Sequence, residues 1–532
     1  MTRDAESIGA GLAPAREPRP IPAGQRIHVV GVAGAGASAA ALLAAAAGAV
    51  PSGCDPGGPS PYTPPLEAAG IALAWEHDPA HVAGDRPPAR LAVSKALTAV
   101  APHHPELEAA RRRGIALEPW QQVVADAAAR KTLVGVAGTH GKSTSAGWLV
   151  HVLVAAGADP SASVGALLPS TVTGALPATA RWGRGPAFVV EADEYAGNFD
   201  PFRPPIAILT SVEWDHPDVF ADRAAVVAAF EGWIRRMRPA GAGKAGEAGE
   251  DGSPLLIANV ADSGVAEVVA RLADWDGGIV ATALVDQAPQ RLGGYGRAMA
   301  EQFASRKGRA TVVLGRITAS DAATTTLEIH GLDPLAGPVT ARLLTAGRHN
   351  AANALGVAAA AALALGTPPA SIVDGLSSFV GVGRRLERKG ESNGVVVYDD
   401  YGHHPTAIRE TIGAVRQREP GRRIWAVYEP LTYHRTAALL DDFADALATA
   451  DAVAVADIWA GRDPDTTVAS AQGLASAVGA RRPDLPIGAP GSVEATADWL
   501  AGQVQPGDAV LVMGGGRSYR IGERLLEVLE AR

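Results

Sequence analysis

The sequence predicts an α/β protein of three domains, each built on a mostly parallel, doubly wound β-sheet. The chain has 532 residues, which is more than one hydrophobic core usually supports. Short apolar runs alternate with longer helical segments along its whole length, a pattern typical of parallel sheets covered by helices. Two of these runs end in glycine-rich turns that open a helix, the arrangement in which such sheets bind phosphate groups.

Composition and charge narrow the class of function. Hydrophobic residues make up 47% and charged residues 19% of the chain, as in ordinary soluble globular proteins. The net charge of −9 argues against a general binder of nucleic acid or of anionic membranes. Cys54 is the only cysteine, which excludes an intramolecular disulfide and a zinc site built on cysteines. We therefore expect a cytoplasmic protein.

The N-terminal unit begins after a segment rich in Pro, Arg and Ala, residues 1–24, which predicts a disordered tail. A short strand, 27–30, leads into glycines at 31, 34 and 36 and then into an alanine-rich segment, 37–50, that predicts a buried helix. This is a dinucleotide-type turn, although its spacing differs from the usual one. The next strand ends at Asp55, where an acid could bind a ribose. Taken alone, the segment fits a nicotinamide-dependent oxidoreductase nearly as well as a nucleotide-sugar binder.

The central unit carries the most informative motif. An apolar run, 132–137, is followed by Gly-Thr-His-Gly-Lys-Ser-Thr at 138–144. The glycines let backbone N–H groups close around phosphates, Lys142 would reach the outer phosphates, and the Ser143 hydroxyl would bind Mg²⁺. Val136 occupies the first glycine position of the strict Walker motif, so the match is to a shorter variant. The motif predicts ATP binding.

Polar groups follow later strands of the same unit. Glu191 follows the apolar run 187–190 and His216 comes soon after the run 206–209, and both are candidate metal ligands. A further strand is predicted at 255–257. The glycine-rich stretch near 239–254 predicts a flexible surface insertion.

A third unit begins near Gly383, with Arg384 and Arg385 as planar cations suited to a transferring phosphoryl group. A dense polar loop, 399–405, follows its first strand. Its predicted strands are 395–398, 424–427, 452–455 and 509–512, and a helix is predicted at 436–448.

In this order, the segments resemble those of the Mur ligases, the ATP-dependent amide-forming enzymes of peptidoglycan precursor synthesis. The resemblance runs from Ile27 to about Gly516. It implies a Rossmann-like domain for the UDP-sugar at 25–128, a P-loop ATPase-like domain at 129–380 and a Rossmann-like domain for the amino acid at 381–532. His140, the run 399–406 and the run 433–436 favour the branch that adds L-alanine to UDP-N-acetylmuramate.

The resemblance also implies roles for individual residues. UDP-sugar contacts would come from Gly34, Ala35, Gly36, Asp55 and Ser94. ATP contacts would come from Gly138, Thr139, His140, Gly141, Lys142, Ser143, Thr144, His349, Asn350, Asn353, Arg385 and Asp400. Amino-acid contacts would come from Tyr401, His403 and Arg435. Mg²⁺ would be held by Ser143, Glu191 and His216, and the catalytic set would be Lys142, Glu191, His216 and Arg385. The expected partners are these small molecules alone, with the protein a monomer or homodimer.

Some positions depart from the family pattern. Leu431 replaces a histidine near the expected amino-acid pocket, and Ala196 stands where an aspartate is common. A murein-recycling ligase, which adds an intact tripeptide, is therefore an alternative, and Glu429-Pro430 is shared with it. A nicotinamide-dependent oxidoreductase is a further alternative, but this function would give Lys142 no role.

Overall fold

A computed structural model describes residues 8–239, 252–286, 301, 309–333, 337–461, 463 and 465–532. The predicted insertion near 239–254 and the first seven residues of the predicted tail lie largely outside this range. Within it, the strands form three sheets of five, ten and six strands, which follow one another along the chain. The predicted α/β class is thus confirmed.

The first sheet is parallel throughout, in the order β3-β2-β1-β4-β5. Its strands are β1 (Arg26–Val30), β2 (Val50–Cys54), β3 (Ala72–Ala74), β4 (Arg90–Val93) and β5 (Ala116–Pro119). Its helices are α1 (Ala35–Ala46), α2 (Pro64–Ala68), α3 (Ala80–Ala83), α4 (Lys95–Val100), α5 (Pro105–Arg112) and α6 (Trp120–Ala127). Alternate β1 residues face opposite sides, so Ile27 and Val29 pack with α1 while Val30 packs with α3 and α5.

The second sheet has the order β15-β14-β13-β12-β11-β10-β6-β9-β7-β8. Its strands are β6 (Thr132–Ala137), β7 (Ser161–Leu168), β8 (Ala178–Arg181), β9 (Ala187–Ala192), β10 (Ile206–Leu209), β11 (Leu255–Asn259), β12 (Gly278–Leu284), β13 (Ala310–Ser320), β14 (Thr325–His330) and β15 (Val339–Leu343). Its helices are α7 (Lys142–Ala155), α8 (Ser170–Thr173), α9 (Arg223–Arg235), α10 (Ser263–Arg271), α11 (Arg348–Ala359) and α12 (Pro369–Ser378). The predicted parallel strands form its centre, and antiparallel strands extend both edges, which the sequence analysis did not predict.

The third sheet has the order β16-β17-β21-β18-β19-β20, parallel except for β16 at one edge. Its strands are β16 (Glu387–Ser392), β17 (Val395–Asp400), β18 (Arg423–Glu429), β19 (Ala452–Ala456), β20 (Ile487–Gly491) and β21 (Asp508–Gly514). Its helices are α13 (Pro405–Arg418), α14 (Tyr433–Ala438), α15 (Leu440–Leu447), α16 (Ala471–Arg481), α17 (Val493–Ala501) and α18 (Tyr519–Glu530). The helix predicted at 436–448 is divided at Leu439, whose φ of −114° and ψ of 24° are not helical.

Residues 8–24 do not form the disordered tail that the composition predicts. Ile8 is buried, and the Ala13 amide donates to the Leu117 carbonyl at 2.7 Å. The Arg16 guanidinium forms ion pairs with Glu118 at 2.9 Å and Asp126 at 2.7 Å. The segment is ordered because it supplies a cation to two buried carboxylates that are more than a hundred residues away along the chain.

The alanine-rich helix is α1, and most of its residues are buried as predicted. No helix in the described part of the chain is long and apolar enough to cross a membrane.

Candidate active site

The phosphate loop joins β6 to α7, and its backbone adopts φ angles that glycine readily permits. Gly138 and Gly141 have φ of 135° and 77°, in the region that favours glycine. A Cβ at Gly138 would lie 2.2 Å from the Thr210 hydroxyl, and one at Gly141 would lie 2.5 Å from the Asn353 side-chain oxygen. Gly138 is therefore required by space as well as by conformation, because backbone atoms of Ser211 also lie 2.9 Å from that Cβ, whereas Gly141 is required by its conformation.

Lys142 begins α7 and folds back over this loop. Its Nζ donates to the Gly138 carbonyl at 2.6 Å and to Glu194 Oε2 at 3.0 Å, and it lies 3.7 Å from Asp193 Oδ1. Burial by itself would lower the pKa of Lys142, but the carboxylates of Glu194, Asp193 and Glu191 raise it well above its ordinary value. The loop therefore presents a permanently charged ammonium group.

Ser143 links the central unit to the third one. Its hydroxyl donates to Glu191 Oε1 at 3.0 Å and accepts from Arg385 Nη2 at 2.9 Å. The other Glu191 oxygen accepts from the Gly165 amide at 2.6 Å. A Cβ at Gly165 would lie 2.9 Å from that carboxylate, so a glycine permits this approach. The hydroxyl and carboxylate oxygens form a pair of the hard donors that Mg²⁺ prefers.

His216 belongs to a neighbouring group of donors. The donor atoms of His216, Asp193 and Glu194 all lie within 4.8 Å of one another. The predicted metal ligands therefore fall in two adjacent places, Ser143 with Glu191 and His216 with Asp193 and Glu194, two acids that were given no role from the sequence. Their position directly after Glu191, at the same strand end, was the signal that could have identified them.

A buried ion pair lies next to His216. Arg435 Nε donates to Asp215 Oδ1 at 2.7 Å, and Arg435 Nη2 donates to His216 Nδ1 at 2.9 Å. Burial alone would raise the pKa of Asp215, but Arg435 and three histidines hold it well below its ordinary value. Arg435 Nη1 is buried and has no hydrogen-bond partner among the described residues. Arg435 was predicted from the sequence as an amino-acid contact, whereas Asp215, its partner, was not predicted.

A second cluster crosses from the central unit to the third. Glu213 Oε2 lies 3.2 Å from His140 Nε2 and accepts from the Thr406 hydroxyl at 2.7 Å. Burial would raise the pKa of Glu213, but these partners and His404 lower it to about 2. Burial, together with the charge of His140, lowers the pKa of His404 to about 4. These residues hold the third unit against the phosphate loop, and only His140 was predicted.

Two cavities adjoin the phosphate loop. One, of 320 Å³, is lined by these predicted ATP-binding residues: His140, Gly141, Thr144, His349, Asn350, Asn353, Arg385 and Asp400. The other, of 400 Å³, is lined by these predicted residues: Ala35, Gly36, Ser94, Thr139, His140, Gly141, Lys142, Ser143, Glu191, His216, Arg385, Tyr401, His403 and Arg435. His140, Gly141 and Arg385 line both, so the cavities meet at the phosphate loop. The second cavity thus collects side chains from all three units.

A few predicted residues lie outside both linings. Asp55 accepts hydrogen bonds from the amides of Ala33 at 3.1 Å and Gly57 at 2.9 Å, and so holds the turn after β2. Gly34 and Gly138 shape the two glycine-rich turns. Conversely, the second cavity includes these residues that were not predicted: Lys95, Trp120, Asn198 and His404. Leu431, which was expected near the amino-acid pocket, also lines this cavity.

Comparison with known proteins agrees with this arrangement. Residues 26–132 match the model of the Mur ligase family, catalytic domain, and residues 384–516 match that of the Mur ligase, glutamate ligase domain. The UDP-N-acetylmuramate–L-alanine ligase of Frankia casuarinae is 35% identical over 528 residues, which cover 95% of this chain and 98% of that protein. The ligase of the same name from Kineococcus radiotolerans is 36% identical over 515 residues, covering 95% and 97%.

Solved structures show the same fold. The UDP-N-acetylmuramate-alanine ligase of Thermotoga maritima superposes with a TM-score of 0.72 at 21% identity, covering 95% of this chain and 99% of that one. The murein peptide ligase of Psychrobacter arcticus superposes with a TM-score of 0.67 at 23% identity, covering 96% and 99%. Since curated relatives match nearly its whole length at about a third identity, this chain belongs to the Mur ligase family.

Proposed function

We propose that this protein is an ATP-dependent ligase that joins L-alanine to the carboxylate of UDP-N-acetylmuramate, in peptidoglycan precursor synthesis. The observation that carries the proposal is the convergence of Lys142, the Ser143–Glu191 pair and Arg385 at the meeting point of two cavities. Relatives with about 35% identity over nearly the whole chain bear the name of this activity. We further propose a cytoplasmic location and a monomer or homodimer.

The division of labour follows the three sheets. We propose that residues 25–128 bind the UDP-sugar, residues 129–380 bind ATP and residues 381–532 bind the amino acid. The first cavity would hold the adenosine part of ATP, next to His349, Asn350 and Asn353. The second would hold the sugar carboxylate and the amino acid, because residues of all three units line it.

The reaction requires the carboxylate to be activated. A carboxylate is a poor electrophile because its leaving group would be oxide, whereas an acyl phosphate expels phosphate. Transfer of the γ-phosphoryl group from ATP forms this acyl phosphate and releases ADP, and attack by the alanine amine then gives the amide and phosphate. Lys142 and Arg385 would neutralise the repulsion between the two anions, since both line the second cavity and Arg385 donates to the Ser143 hydroxyl.

We propose that the site also uses Mg²⁺, which when bound supplies positive charge to the transferring phosphoryl group. The donor set fits the ion. Ser143 and Glu191 present two oxygens 3.0 Å apart, and Asp193, Glu194 and His216 present a second group beside them. The Gly165 amide would keep the Glu191 carboxylate oriented.

The amino-acid end of the cavity has features that suit a small zwitterion. The unpartnered Nη1 of Arg435 would receive the substrate carboxylate, which removes the cost of leaving this donor buried and unpaired. Burial and the charge of Arg435 hold the pKa of His403 well below its ordinary value, so a neutral imidazole would face the ammonium group without repelling it. Leu431 adds an apolar wall.

An amino-acid panel tests the proposal. The protein is supplied with ATP, Mg²⁺ and UDP-N-acetylmuramate, and phosphate release is measured with L-alanine, glycine, L-serine and the murein tripeptide side by side. We expect the largest kcat/KM with L-alanine and no release without an amino acid. Release with the tripeptide alone would move the assignment to the recycling ligase. Oxidation of a nicotinamide cofactor without phosphate release would contradict the ligase assignment.

A further inference from the structure

A cluster of imidazoles, a thiol and a carboxylate is buried on the first sheet, on the face opposite α1. His28 lies on β1, Cys54 ends β2, His81 lies on α3 and Glu106 lies on α5. His28 is 3% exposed, and Cys54 and Glu106 are completely buried. The cluster shares no residue with the linings of the two cavities described above. It therefore has no assigned role in the proposed reaction.

The donor atoms of this cluster converge on a common point. His28 Nε2 lies 3.3 Å from Cys54 Sγ and 3.0 Å from Glu106 Oε1. Cys54 Sγ lies 3.7 Å from Glu106 Oε1 and 3.3 Å from Glu106 Oε2, and His81 Nδ1 lies 3.1 Å from Glu106 Oε1. One donor atom from each of the four residues lies within 4.8 Å of all the others. Tetrahedral zinc separates its nitrogen, oxygen and sulfur ligands by about 3.3–3.6 Å, as follows from its bond lengths. The cluster needs only small shifts to reach that geometry.

The charge of the buried Glu106 carboxylate also favours a bound cation. The ion pairs of Glu106 within the described residues are to histidines alone, namely His28, His77 and His81. A carboxylate that is fully buried normally has a permanent cation or a metal as its partner. A divalent cation bound to one thiolate and one carboxylate would leave the cluster electrically neutral.

The surroundings also resemble those of protein metal sites. The other ring nitrogen of His28 lies 2.9 Å from the Ser52 hydroxyl, a contact that fixes the orientation of the ring. His77 Nδ1 lies 3.2 Å from Cys54 Sγ and would hydrogen-bond to the thiolate. Such outer contacts orient metal ligands and tune their basicity.

We propose that this protein binds one zinc ion through Cys54 Sγ, His28 Nε2, His81 Nδ1 and Glu106 Oε1. Four protein ligands close the coordination shell, so the ion has a structural role and takes no part in the reaction. It would tie β1 and β2 to α3 and α5. It would also anchor the end of β2, whose next residue, Asp55, holds the following turn. The single cysteine excludes a zinc site built on cysteines, but it does not exclude this mixed set of ligands.

Metal analysis of the full-length protein tests this proposal. The protein is stripped with a chelator, dialysed against Zn²⁺ in the presence of excess Mg²⁺, and its zinc is measured by elemental analysis. We expect one zinc ion per chain. Cys54→Ser and His81→Gln should each lose it, whereas His103→Gln should retain it, because His103 is 88% exposed in the same region and lies outside the cluster.

Two further readouts separate a metal site from a hydrogen-bonded cluster. Co²⁺ in place of zinc should produce a thiolate-to-metal charge-transfer band that Cys54→Ser abolishes. Saturating zinc should raise the melting temperature of the stripped protein by roughly 5–10 °C at a hundred times its Kd. His81 is partly exposed, so His81→Gln tests the site even if Cys54→Ser folds poorly. Zinc below stoichiometric amounts, or zinc that survives both variants, would overturn the proposal.

Discussion

Arg385 and Ser143 are joined by a 2.9 Å hydrogen bond that connects the third unit to the phosphate loop of the second. The Arg385 guanidinium also lies 5.0 Å from the centre of the Tyr401 ring, a cation–π contact that orients it. The second and third units therefore meet at the phosphate loop. Because Arg385 belongs to the third unit, it reaches Ser143 only while the two units are in contact.

We predict that Arg385→Ala lowers kcat by roughly 10²–10³-fold with little change in the KM for UDP-N-acetylmuramate. The reason is that a preorganised cation is lost from the transferring phosphoryl group, while the sugar domain is untouched. Steady-state kinetics with each substrate varied in turn measure both quantities. Arg388→Ala is the matched control, because Arg388 is on the surface and pairs with Glu391. A rise in KM with unchanged kcat would instead indicate a binding role.

Lys142→Ala should abolish turnover and leave the affinity for UDP-N-acetylmuramate nearly unchanged. The ammonium group lies over the phosphate loop, whereas the sugar nucleotide is expected on the first unit. Phosphate release and isothermal titration calorimetry measure the two effects separately. Lys389→Ala, which removes a lysine on the third sheet that pairs with Glu387, should leave both unchanged. Equal loss of turnover and of sugar affinity would show that the proposed domain division is wrong.

Asp215→Asn should lower the free energy of unfolding by about 3–5 kcal/mol, because it leaves the buried Arg435 guanidinium without its charged partner. Urea denaturation monitored by tryptophan fluorescence gives this quantity. Asp484→Asn removes a partner of Arg482 on the surface, where the aspartate side chain is 79% exposed, and should change stability by less than about 0.5 kcal/mol. An equally small change in the free energy of unfolding for Asp215→Asn would show that the buried pair contributes little to stability.

Glu429 should make the protein less stable as the pH rises from 5 to 7. Burial raises the pKa of Glu429 to about 7, from an ordinary value of 4.5, although its carboxylate accepts from the Ser518 amide at 2.6 Å. The unfolded chain loses this proton above pH 4.5 and the folded chain keeps it until about pH 7, so the cost of burial grows over that interval and is constant above it. The shift corresponds to about 3 kcal/mol.

Glu429→Gln should remove this part of the pH dependence, since an amide keeps a hydrogen-bond acceptor for Ser518 but carries no charge. Thermal or urea unfolding of both proteins at pH 5, 6, 7 and 8 measures it. We expect the variant to gain stability over the parent mainly at pH 7 and 8. Glu530→Gln, at an exposed position near the C-terminus, is the control and should follow the parent curve. Parallel curves for Glu429→Gln and the parent would refute the prediction.

Local features of the chain were enough to predict much of this protein. Apolar runs predicted the central strands of each sheet, and the glycines of residues 138–144 predicted the phosphate loop. Both signals depend on residues that are near neighbours along the chain. The order of motifs also predicted the family. The roles of individual site residues stay predictions, although most of those residues line the two cavities.

The tertiary structure alone decided the pairing of groups that are distant along the chain. Asp215 meets Arg435 across 220 positions, and Arg16 meets Asp126 across 110, which is why residues 8–24 are ordered despite their composition. The cluster around Glu106 likewise gathers side chains from separate strands and helices of the first unit. Sheet topology determines which side chains become neighbours. Charged groups that are distant along the chain therefore pair only in the folded protein.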